Sequence, residues 1–90
     1  GRVQRAYSIG DAEGEIIEAQ VLSTSTIAGH YIRDVEFPEG VLIGAVKKGT
    51  EILKPSGSLR IEDGDQVVLF ALSNDVGEVE RLLQVTIDFF

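Results

Sequence analysis

The 90 residues carry a net charge of −7, and 43% are hydrophobic but only 7% aromatic, so the chain is one small domain whose core must come from Val, Ile, Leu and Ala. Cysteine is absent, which excludes disulfides, thiolate catalysis and Cys-based zinc sites and suits the cytoplasm. No apolar run approaches the roughly 20 residues of a membrane-spanning helix, and Gly1–Tyr7 has no signal-peptide core; the chain opens as if cut from a longer protein.

A domain of this size buries only about 60–65% of its unfolded surface, and small domains often gain stability by dimerising. Charge is unevenly placed: residues 1–60 hold 7 basic and 8 acidic side chains, while residues 61–90 set Arg81 alone against seven carboxylates. That last third repels nucleic acid and anionic lipid, and no nucleic-acid partner is expected. Its plainest use is solubility.

Residues 1–14 read as an N-terminal arm or linker, with room for a short strand at Arg2–Tyr7 and turns at Ser8–Asp11 and Gly14. Glu15–Ser23 alternates, with Ile17, Ala19 and Val21 on one face, as a half-buried strand does. Ser23–Thr26 supplies N-cap hydroxyls, and Ile27, Tyr31 and Val35 follow at i, i+4 and i+8. This spacing predicts a short amphipathic helix, weakened by Gly29 and ended before Pro38.

Val41–Lys47 is apolar on both faces and predicts a central strand. Lys48-Gly49 turns the chain into an antiparallel strand at Glu51–Lys54, which Pro55 ends. Leu59 and Ile61 pin the following connection to the core. Glu62-Asp63-Gly64-Asp65 makes an acidic turn, and Gln66–Leu72 is the most apolar strand. Ser73-Asn74-Asp75 then caps a second helix with Val76, Val79, Leu82 and Leu83 inward. Val85–Phe90 alternates again, and two readings stay open: a closing edge strand or an apolar tail docked on a partner. The expected class is α+β, a small antiparallel or mixed sheet with two helices on one face.

The ordered set of segments resembles the C-terminal (RCK_C, TrkA-C) domain of TrkA-type potassium-uptake regulators. The resemblance runs through Ala6–Glu13 with Glu15–Glu18, Ser25–Gly29 with Ile32–Asp34, Pro38–Val41 with Ile43–Ala45, Ile61–Phe70, Val79–Leu82 and Asp88–Phe90. It implies that residues 15–90 form a regulatory domain that dimerises, takes a nucleotide-type or other small regulatory ligand, and acts on a membrane potassium transporter subunit through its parent protein. It also implies a cytoplasmic place, peripheral to the inner face of the membrane. TrkA-type proteins carry dinucleotide sites in separate Rossmann-like domains; this chain has no G-x-G-x-x-G, so no NAD or other cofactor is expected in it.

The candidate ligand residues are His30 and Arg33. His30 is the lone histidine, and three residues on in the same helix Arg33 offers the bidentate grip that phosphate favours. In relatives of this domain a dimer cleft near the equivalent region can hold a cyclic dinucleotide. The plainer readings are an exposed helix position for His30 and a surface ion pair with Asp34 or Glu36 for Arg33. Glu62, Asp63 and Asp65 lack calcium-loop spacing and read as a turn, so no metal is expected. Lys47, Lys48 and Lys54 read as hairpin solvation, too few for nucleic acid. Phe89 and Phe90 face opposite sides and are the candidate interface residues, with burial in the domain's own core as the plainer reading. One histidine, no cysteine and carboxylates confined to turns and a solvent-facing helix side leave nothing to assemble for catalysis, so the chain is not expected to be an enzyme.

Overall fold

Alternating apolar positions, joined by glycine turns, build the domain around one antiparallel sheet. The computed structural model describes residues 2–11 and 13–85. Its strands are β1 (Arg2–Ile9), β2 (Gly14–Gln20), β3 (His30–Tyr31), β4 (Val41–Lys48), β5 (Glu51–Leu53), β6 (Arg60–Ile61) and β7 (Gln66–Leu72), followed by helix α1 (Val76–Leu83). The five-stranded sheet runs β1-β2-β7-β4-β5, with all pairs antiparallel, and β3 and β6 form a separate two-stranded ribbon. The α+β class is borne out, with one helix rather than two.

The most apolar strand, β7, takes the centre of the sheet. Ile17 and Ala19 of β2, Val67 and Leu69 of β7, and Val46 of β4 point to one face and are fully buried. Val79 and Leu83 of α1, together with Ile27 and Ile61, cover them. Each of these Val, Ile and Leu side chains contributes about 1.5–3 kcal/mol by leaving water. The helix starts where expected, entered through a 3₁₀ turn at Ser73–Asp75, but Asp75 makes no side-chain cap bond. Instead its carboxylate lies against Gly40, where a Cβ would collide with it.

The strand allowed for at Arg2–Tyr7 is present as β1, paired along β2. The hairpin β4–β5 turns at Gly49, whose φ of 60° suits the first position of a two-residue loop.

The predicted first helix does not form. Residues 23–29 are turns, followed by β3 and a 3₁₀ turn at Ile32–Asp34. The segment donates its N–H groups elsewhere: Thr26 to Leu82 O at 3.0 Å, Gly29 to Ile61 O at 2.7 Å, Ile32 to Leu59 O at 2.9 Å and Arg33 to Gly57 O at 3.2 Å. Ser25, one of the expected N-cap hydroxyls, is buried and donates to Leu83 O at 3.1 Å, so it serves the far end of α1.

Candidate functional site

The β3–β6 ribbon and the 3₁₀ turn after β3 bring Arg33 and Arg60 close to Tyr31. Gly29, at a φ of 84°, turns the chain into β3, and Tyr31 pairs with Arg60 across the ribbon. Residues directly opposite in an antiparallel pair have neighbouring side chains. The Arg33 guanidinium stacks over the Tyr31 ring, 4.6 Å from its centroid. Arg60 Nε donates to Gly29 O at 3.0 Å. The Ser56-Gly57-Ser58 loop closes against Arg33, where a Cβ on Gly57 would come 3.2 Å from the Arg33 Cβ. Neither Arg33 nor Arg60 has an ion-pair partner among the described residues, although the chain carries a net charge of −7. Two guanidiniums around an exposed ring can grip phosphoryl oxygens and stack a planar group.

His30 belongs to a different surface. It lines a cleft of about 360 Å³ with Thr26, Ile27, Asp34, Val35 and Glu36. The helical spacing that put His30 and Arg33 on one face is absent, because His30 lies in β3 and Arg33 in the 3₁₀ turn. The two carboxylates beside His30 make its cleft hospitable to cations, whereas the Arg33 side of the ribbon suits anions.

The acidic turn is structural. Asp65 is buried, accepts the Glu62 N–H at 2.8 Å and pairs with Lys48 Nζ, which also reaches Glu62 at 3.5 Å. Gly64, at a φ of 91°, supplies the positive backbone angle that the turn requires. Among the described residues no three of His, Cys, Asp or Glu are placed to hold a metal ion. Lys47 is half-buried on the sheet and Lys54 is exposed just beyond β5. Phe89 and Phe90 lie outside the described residues.

Three features go beyond the sequence reading. Arg60 joins Arg33 only through strand pairing, for which no local signal exists. The second apolar face of the sheet is exposed at Leu42, Phe70 and Leu72 instead of being covered. Its signal was the two-sided apolar pattern of β4 and β7, which reads as burial on both sides. Glu15 is buried, with Oε1 3.5 Å from Ser73 Oγ and Oε2 lacking a hydrogen-bond partner among the described residues.

An antiparallel sheet with one helix on its inner face and a cationic-aromatic ribbon at its side is a small α+β domain. Residues 16–84 match the TrkA-C domain model, and the chain belongs to that family. It is 41% identical over its whole length to the Trk system potassium uptake protein TrkA of Azorhizobium caulinodans, covering 20% of that protein. It is 35% identical to the protein of the same name from Halomonas elongata, again over the whole chain and 21% of the relative. With a TrkA homolog of Methanosarcina mazei the identity is 35% over 88% of the chain and 18% of the relative. The chain thus spans about a fifth of the length of these curated relatives. A solved structure described as an RCK domain with cda superposes with a TM-score of 0.64 at 19% identity, covering 76% of this chain and 96% of that one, which shows a shared fold. The family resemblance carried by the residues is borne out.

Proposed function

We propose that this chain is the regulatory domain of a Trk-type potassium-uptake protein, which dimerises and binds a small anionic ligand to bias a membrane potassium transporter. The parent would sit in the cytoplasm against the inner face of the membrane, with residues 1–14 leading into the domain and any dinucleotide site in its other domains. Similarity along the full 90 residues to proteins named for Trk potassium uptake carries the regulatory part of this reading. The ligand part is supported by Arg33 and Arg60 flanking Tyr31 without a carboxylate partner among the described residues. His30 lines a separate cleft and takes no part in this grip. For such a ligand to regulate, it must bind two states of the domain with different affinity. The chemistry is binding and not catalysis.

A second reading, a purely structural dimerisation module, is favoured by Asp34 and Glu36 beside His30, which oppose an anion. Thermal unfolding with nucleotides, cyclic dinucleotides and simple cations separates the two. A ligand at a hundred times its Kd adds about 2.7 kcal/mol, which raises Tm by roughly 10 °C or more in a domain this small. The expected result is such a rise with a phosphate-bearing compound, abolished in Arg33→Ala and Arg60→Ala. If no compound raises Tm while the chain sediments as a dimer, the structural reading stands instead.

A further inference from the structure

We propose that two copies of this chain pack face to face through one end of the outer surface of the sheet, formed by Tyr7, Ile9, Leu42, Phe70 and Leu72. This rests on the reading that the chain dimerises, and it names the surface that does so. The strand register places these residues together. Tyr7 pairs with Ile16, Ile16 with Phe70 and Phe70 with Leu42, so one apolar row crosses four strands. The next row holds Ile9, Gly14 and Leu72. No charged side chain stands in either row. The charged outward residues Arg5, Glu18 and Lys47 lie in the rows toward the other end of the sheet.

These apolar side chains are exposed to a degree unusual for their type: Leu42 65%, Leu72 58%, Tyr7 50%, Ile9 45% and Phe70 38%. At about 200 Å² for a fully exposed residue of this size, they leave roughly 500 Å² of apolar surface per copy. A stable dimer buries about 800 Å² per partner, some 65% of it non-polar in homodimers, which is the same area within the precision of the comparison. Gly44 sits in the bulge of β4 between Ile43 and Ala45, and the Phe70 ring lies where a Cβ on Gly44 would be, so the ring lies over β4. An apolar sheet face suits another such face stacked about 10 Å away. A second copy fits better than a charged partner because neither row carries a charged side chain; Glu39 and the buried Glu15 line the hollow beside them.

Sedimentation equilibrium of the 90-residue chain tests this. The wild type should be a dimer, and Leu42→Glu with Leu72→Glu should weaken it at least about a hundredfold by burying like charges, with an unchanged far-UV spectrum. Ile52→Glu, 72% exposed on the same face but at its polar end, should leave the dimer intact. A dimer unaffected by the double variant, or lost equally in Ile52→Glu, overturns the surface and leaves dimerisation standing. A wild type that stays monomeric at millimolar concentration overturns both, and leaves this face to the rest of the parent chain. The chain has no cysteine, so spin labels on single Arg5→Cys and Glu78→Cys variants, the first on the same face outside the two rows and the second on α1, give a second measure that leaves the proposed contact intact. The Arg5 pair should be the closer one across the dimer, and the reverse order overturns the proposal.

Discussion

Asp65 ties its turn together through both its backbone and its side chain. Its N–H donates to Glu62 O at 3.1 Å, while Oδ2 accepts the Glu62 N–H at 2.8 Å and the Lys48 ammonium. The same turn is held to the end of β2 by Val21 donating to Asp65 O and Gly64 donating to Val21 O, both at 2.7 Å. Because Asp65 is buried, its removal strands a backbone donor and a half-buried lysine, and Asp65→Ala should cost about 2–3 kcal/mol in urea unfolding. A loss below about 0.5 kcal/mol would show that the turn closes without its carboxylate. The role of this residue was legible, since an acidic glycine turn before an apolar strand predicts local Asp-to-backbone bonding. The candidate ligand site was legible only by halves. Arg33 was found because guanidinium chemistry is intrinsic to the residue. Arg60 was not, because 29 residues separate it from Tyr31 and only strand pairing brings them together.

The elements divide in the same way. Strand β2 could be read from alternation, β4 and β7 from apolar runs bounded by turn residues, and α1 from the spacing of Val76, Val79 and Leu83. The predicted first helix failed although Ile27, Tyr31 and Val35 have helical spacing. Its N–H groups find partners at Leu59, Ile61 and Leu82, and a period-based reading cannot see acceptors that arrive from later in the chain. Ile27 is buried by that arrangement just as a helix would have buried it, so the apolar pattern was satisfied by a different backbone. At the other end of the domain, α1 terminates in Gln84, a non-glycine residue in the left-handed region with a φ of 57°. Its side-chain amide donates to Arg81 O at 3.1 Å, an exposed bond of small net value. Glycine adopts this backbone without penalty, so Gln84→Gly should stabilise the domain by about 0.5–1 kcal/mol, read as a higher urea midpoint with an unchanged slope. A lower midpoint would mean that the Arg81 contact outweighs the backbone strain.

At the scale of the molecule, the proposed dimer brings together two copies that each carry a net charge of −7. The proposed docking rows are uncharged, so the repulsion between copies is a long-range term from the rest of each surface. Such a term is screened over a Debye length, which falls from about 30 Å at 0.01 M salt to about 8 Å at 0.15 M. The proposed ligand ribbon would obey the opposite sign, because salt competes with an anion for Arg33 and Arg60. Raising the salt from 0.01 to 0.15 M should therefore tighten the dimer by about tenfold while it weakens a phosphate-bearing ligand. Sedimentation equilibrium and titration calorimetry on the same samples read the two constants separately. If both constants moved in the same direction, the division of the domain into a neutral docking face and a cationic ligand ribbon would be wrong. If the dimer alone weakened with salt, its contacts would be ion pairs, and the interface would lie toward the charged rows of Arg5, Glu18 and Lys47.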